Sequence, residues 1–150
     1  MKLDNIDLNI LRELSKDARV PLSTISSRVN LSIPAISERI KKLEKGKYIE
    51  KYTVILNPEK FNKTLTCLAF ITLRYSESEL NSFRKFIKSN PDIVECHLIT
   101  GEHEYVLKIV TDSPESLGNL LESLRKSADV LTSSTSIILS TFKNDASINI

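Results

Sequence analysis

Apolar residues return at helical spacing three times within the first 45 positions, and the breaks between these stripes are only a few residues long. Leu3, Ile6, Ile10, Leu11 and Leu14 make the first stripe, with Asp4 as its cap and the Asp7 carboxylate near the positive helix end. Residues 16–19 lose the pattern and close it. Pro21 opens a second helix, since a missing N–H costs nothing in the first turn. Leu22, Ile25 and Val29 turn inward there, and Asn30 follows as a left-handed terminator. Ser32 caps a third helix that gathers Ile36, Ile40 and Leu43 on one face. Three short helices, the last two separated by about four residues, describe a helix-turn-helix unit.

The period then changes. Residues 48–56 read as a strand or small wing, and residues 57–63, with Asn57-Pro58, as a hinge. Strands follow at 65–75, 93–100, 105–110 and 130–142, with helices at 78–89 and from Ser113-Pro114 onward. Strand-helix-strand-strand-helix-strand is the ferredoxin-like βαββαβ order, so the chain is α+β. The expected division is 1–56, 57–63, 64–142 and a polar, frayed tail at 143–150. The first of these strands is apolar on both sides: Cys67, Ala69, Ile71, Leu73 and Tyr75 alternate with Leu68 and Phe70. Two helices cover only one sheet face, so the other is expected to meet a second copy of the chain.

Charge separates the two halves. Residues 1–63 hold 13 Lys/Arg and 8 Asp/Glu, whereas the rest holds 8 and 11. A basic module joined to an acidic one suggests polyanion binding by the first. No apolar run approaches the ~18 residues of a membrane span, and the acids at Asp4 and Asp7 oppose a signal peptide. Two cysteines make no disulfide framework; a reducing, cytoplasmic setting is expected.

The third helix divides as a DNA-reading helix must. Opposite its apolar face stand Pro34, Ser37, Glu38, Lys41, Lys42 and Lys45, with Arg39 on the flank. Ser37 and Glu38 are candidate base readers; Lys41, Lys42, Arg39 and Arg28 suit phosphates. Ser32, Pro34 and Ala35 in the leading turn complete the candidate set for double-stranded DNA. A solvated helix face has the same composition, and the helix-turn-helix context favours DNA. Cys96, His97 and His103 lack metal-ligand spacing and read as core thiol and surface imidazoles, as does Cys67 as a core thiol. With no phosphate loop, dinucleotide fingerprint or nucleophile motif, no catalytic residue, metal or cofactor is expected. The 101–104 turn is ambiguous: Gly101 permits close backbone approach, and Glu102 and Glu104 attract an ammonium group, yet polar hairpin turns are ordinary. The hydroxyls of 132–136 read either as a solvated edge or as hydrogen-bond partners for a small polar ligand.

Leu3-Asp4-x-x-Asp7-x-x-Ile10-Leu11, Asp17-Ala18-Arg19 and the run from Leu31-Ser32-x-Pro34-Ala35 to Glu44 resemble the DNA-binding half of the Lrp/AsnC (feast/famine) transcription regulators. Ile49-x-x-Tyr52, the Asn57–Lys60 turn and Thr100-Gly101-x-x-Glu104-Tyr105 continue the resemblance in order, up to about Phe142. It implies a winged helix-turn-helix, an effector-binding ferredoxin-like domain, homodimers through the sheet and frequently octamers. It also implies an amino-acid effector between dimers, with Thr100, Gly101 and Glu104 as contacts. Glu104 stands where the family usually has Asp, and Lys47 and Asn62 where it has Gly. The alternative is an architectural DNA-binding protein with little effector response. A haem-precursor decarboxylase, which resembles this family, needs catalytic histidines; only His97 and His103 are present.

Overall fold

The computed structural model describes residues 2–74 and 76–150; Tyr75, at the end of the first expected strand, lies outside them. The chain forms two compact units, one of residues up to Ile55 with Lys143–Ile150, the other of Leu56–Phe142.

The first unit holds α1 (Asn5–Lys16), α2 (Leu22–Val29) and α3 (Ile33–Lys45). Asp4 and Asp7 form a reciprocal capping box at the start of α1. Ser32 Oγ accepts from the Ala35 N–H to start α3. Pro21 stands one place before α2, as its cap rather than its first residue, and Asn30 ends that helix at φ 53°. Ile10, Ile25, Ile36 and Leu43 are fully buried at the centre, each contributing roughly 1.5–3 kcal/mol of apolar burial. Ser26 Oγ donates to the Leu31 carbonyl at 2.5 Å, and Leu31 N–H returns to Ser26 O, fixing the turn into α3.

At the end of α3 the Tyr48 and Lys47 amides donate to Leu43 and Glu44 carbonyls, a Schellman closure that puts Lys47 at φ 59°. A side chain in that left-handed region costs about 1 kcal/mol. Lys47→Gly is therefore expected to raise the stability of this unit by about 0.5–1 kcal/mol, seen as a higher urea midpoint at unchanged slope.

The expected wing is not a strand. Residues 48–56 carry no regular secondary structure and are largely exposed; among the described residues this unit holds no second strand to complete a ladder. Tyr52 Oη donates to Glu44 Oε1 at 3.0 Å and holds the segment against the end of α3. The tail is irregular and exposed, as a frayed tail would be, yet the Ile150 carbonyl accepts from Arg12 Nε at 2.9 Å.

The second unit begins with a 3₁₀ turn, Pro58–Phe61, closed by Asn62 at φ 58°. Its strands β1 (Leu65–Leu73), β2 (Ile93–Leu98), β3 (Tyr105–Thr111) and β4 (Val130–Ile137) form one antiparallel sheet in the order β2-β3-β1-β4. Helices α4 (Glu77–Ser89) and α5 (Pro114–Ser127) cover one face, where Phe83 and Leu124 meet Cys67, Ala69, Ile71, Leu107 and Ile109. The opposite face presents half-buried Leu68, Phe70, Val106 and Val110. The fourth strand stops at Ile137 rather than Phe142, since its partner β1 starts at Leu65 and offers nothing beyond Ile138 N–H to Thr66 O. Cys67 is buried, but Cys96 lies exposed on the β2 edge, so only one thiol is a core thiol.

Candidate nucleic-acid interface and effector turn

The third helix sorts its side chains by the period of the sequence. Ile36 and Leu43 vanish into the core, while Ser32, Pro34, Glu38, Lys41 and Lys42 are exposed and Ala35 and Ser37 half-buried on the other side. The resulting face is charged but internally uneven. Lys41 Nζ lies 3.0 Å from Glu38 Oε1, an exposed i,i+3 pair worth a few tenths of a kcal/mol at about 0.2–0.5. Lys42 and Lys45 have no carboxylate within ion-pair distance among the described residues. Arg28, in the last turn of α2, is exposed and paired with Glu13.

Arg39 does something other than the sequence suggests. Its Nη1 lies 2.7 Å from Asp7 Oδ1 and 2.8 Å from Asp4 Oδ2, tying the middle of α3 to the first turn of α1. Hydrogen bonding to Asp7, then to Asp4, raises the guanidinium above its ordinary value. The Asp7 backbone N–H, then Arg39, holds the Asp4 carboxyl below the usual carboxylate range. With two carboxylates on its Nη1, Arg39 braces the helix against α1. Asp4 and Asp7 were legible as caps, but their second use was not.

In the second unit the 99–104 turn is sewn to β1. Ile99 N–H donates to Glu104 O at 2.7 Å, and Glu104 N–H to Ile71 O at 3.1 Å. Glu104 Oε2 accepts from Leu73 N–H at 3.2 Å, which aims the carboxylate along the end of β1. Gly101 sits at φ 125°, a conformation side chains rarely adopt, with open space where a Cβ would stand. Thr100, Gly101 and Glu104 are all exposed, so the three candidate contacts occupy one accessible turn. His103 is half-buried rather than a plain surface imidazole. Its Nδ1 is 3.3 Å from Thr72 Oγ1, its Nε2 3.4 Å from Ser134 Oγ, and its ring centroid 5.9 Å from that of Phe70. The hydroxyl run at 132–136 hinted at Ser134; nothing in the sequence pointed to Thr72.

Among the described residues no three His, Cys, Asp or Glu side chains gather as a metal site. No helix among them is long and apolar enough to cross a membrane.

Comparison with known proteins covers both units. The AsnC-type helix-turn-helix domain matches residues 3–44, and the Lrp/AsnC ligand binding domain matches residues 66–148. The transcriptional regulator AzlB of Bacillus subtilis is 36% identical over 150 residues, covering 99% of this chain and 96% of that protein. Among solved structures, a transcriptional regulator of Neisseria meningitidis in complex with L-methionine superposes with a TM-score of 0.93 at 26% identity, covering 99% of this chain and 97% of that one. The feast or famine regulatory protein of Mycobacterium tuberculosis complexed with L-methionine gives 0.88 at 31% identity, covering 98% and 99%. With both its units matched in order and relatives similar along their whole length, the chain belongs to the Lrp/AsnC family of transcriptional regulators.

Proposed function

We propose that the protein is a sequence-selective transcriptional regulator that works in the cytoplasm on double-stranded DNA and whose binding is set by an amino acid held at the 100–104 turn. The observation that carries this reading is the open polar and basic face of α3, packed from behind by a buried aliphatic core in a helix-turn-helix. Ser37 and Glu38 read bases, Lys41 and Lys42 hold phosphates, and Ser32, Pro34 and Ala35 bring the leading turn close to the groove. Arg28 adds a phosphate contact from α2, exchanging Glu13 for DNA.

The working form is a homodimer or a larger assembly. The half-buried apolar side of the sheet supports this, as do Val54, Ile55 and Leu56, which are exposed and pair with no strand among the described residues. A dimer offers two recognition helices to successive major grooves about 34–36 Å apart.

Two structural relatives carry L-methionine, and the Glu104 carboxylate beside a glycine turn has the chemistry to take an α-ammonium group. An amino acid alters DNA affinity only by favouring one assembly over another, a coupling of about 1–3 kcal/mol. Titration calorimetry with L-methionine and then other amino acids tests the effector. Glu104→Ala is expected to weaken the best of them about 10- to 100-fold, the value of a hydrogen bond to a charged group, while the assembly in size-exclusion chromatography stays the same. Undiminished heats for the variant would remove Glu104 from the site. Selection from a randomised duplex pool tests the DNA reading: a preferred sequence should exceed random DNA by about 10³-fold or more.

A further inference from the structure

The second unit also carries an unbalanced charge that the effector turn does not use. Between Leu65 and Ile137 ten Asp/Glu stand against seven Lys/Arg. Most of those bases are engaged. Arg74 pairs with Asp129 at 3.2 Å, Lys108 with Glu95 at 2.8 Å and Lys126 with Glu122 at 2.6 Å. Arg125 donates to Ser133 Oγ at 3.1 Å. The remaining three, Arg84, Lys85 and Lys88, stand together on the exposed side of α4, and none has a carboxylate within ion-pair distance among the described residues. They line a shallow depression with Asn81 and Ser89 at its ends.

A helix dipole accounts for a base in the last turn, which covers Lys88 but not Arg84. On α5 a base of the same kind is matched by an acid one turn earlier, Glu122 with Lys126. Solubility needs no single-sign patch in an acidic domain, where mixed charges serve better. Three cations outside any ion pair among the described residues, with the Asn81 amide beside them, match a phosphodiester backbone: charges for the anionic oxygens and a neutral donor for orientation, the Ser89 hydroxyl being donated to the Phe86 carbonyl at 3.1 Å.

We propose that this side of α4 is a second DNA contact, taking the phosphate backbone of duplex that runs on beyond the segment read by α3. The inference rests on the DNA-binding role proposed above. Once α3 is bound, flanking duplex is tethered near the protein, and the effective concentration of phosphate at α4 rises without a separate encounter.

The test is a salt series on mixed-sequence duplexes of about 16 and about 80 base pairs, the longer still inside the ~150 base-pair persistence length. Three proteins are compared: wild type, Arg84→Gln/Lys85→Gln/Lys88→Gln, and Lys41→Gln/Lys42→Gln. The α4 triple is expected to bind the short duplex like wild type and to lose about 2.7 from the log–log salt slope on the long one for each α4 in contact, about 5.4 for both copies of the proposed dimer. Between 50 and 200 mM salt its affinity then falls about 40-fold less than that of wild type for one copy and more than about 10³-fold less for both. A long-duplex slope equal to that of wild type overturns the proposal, leaves the α3 reading intact and turns the patch over to an acidic protein partner. Wild type that binds neither duplex overturns both readings. An α3 double that binds normally while the α4 triple fails on both duplexes overturns the α3 reading and leaves α4 as the DNA contact. The charge-preserving Arg84→Lys/Lys85→Arg/Lys88→Arg protein must bind as wild type does; if it loses as much as the glutamine triple, charge is not the cause and the proposal fails.

Discussion

Lys41→Gln/Lys42→Gln is expected to flatten the salt dependence of DNA binding more than any other pair of substitutions in the first unit. Each phosphate contact releases counterions and contributes about 0.9 to the log–log slope. In the proposed dimer, two lysines on each α3 would therefore account for a slope of about 3.6, more than about 100-fold in affinity between 50 and 200 mM salt. The two positions are not equivalent. Lys41 already has Glu38 at 3.0 Å and must exchange that pair for phosphate, whereas Lys42 is unpaired among the described residues. Lys42→Gln alone should accordingly take the larger share. The loss should be uniform across sequences, since backbone contacts carry no base information, and Glu38→Gln should instead erode discrimination at one base pair by about 1–3 kcal/mol. Gel shifts with selected and random duplexes separate the two behaviours. Equal slopes for wild type and the double variant would take both lysines off the DNA.

Arg39→Ala is expected to destabilise the first unit by roughly 2–3 kcal/mol. The Asp7 side chain is only 7% exposed and would be left without its ion-pair partner. Breaking a fully buried pair costs about 3–5 kcal/mol; the smaller figure follows because the Arg39 side chain keeps 30% of its exposure. Urea unfolding followed by circular dichroism would register a lower midpoint. Pairing the change with Asp7→Asn should restore part of the loss, because the orphaned charge goes with it. The Asp4 carboxyl adds a pH signature. Its value is lowered in the folded protein, so its contribution is complete above the ordinary ~3.9 and disappears as pH falls through the lowered value. A midpoint indifferent to Arg39→Ala would mean that the two ion pairs do not hold the helices together.

These two residues also mark how far the sequence could be read. Caps are local: the Asp4, Ser32 and Ser113 side chains each meet an amide three residues on, so the helix starts follow from short spacings. Asn30 announces a left-handed turn by its own chemistry. Arg39 was legible only as a charge on a helix flank, since its partners lie 32 and 35 residues away and arrive by tertiary packing. The 48–56 segment shows the same limit from the other side. Its alternation and β-branched residues fit a strand, but a ladder needs a neighbour, and none pairs with it among the described residues. For β4 the sequence supplied the strand and β1 decided where it ends. At the effector turn, Gly101 and Glu104 were visible as types; the siting of His103 between Thr72 and Ser134 depends on strand register, which no local pattern specifies.

The turn into α3 is closed by Ser26 on Leu31, and the body of α3 is lashed to α1 by Arg39. A helix held at its entry and along its shaft has little freedom to lean toward an imperfect groove. Misfit must then be absorbed by the duplex, whose curvature over such a site costs of order 1–6 kcal/mol depending on its base steps. With α3 as the proposed reading helix, sequences that bend readily would thereby be favoured at positions no side chain touches.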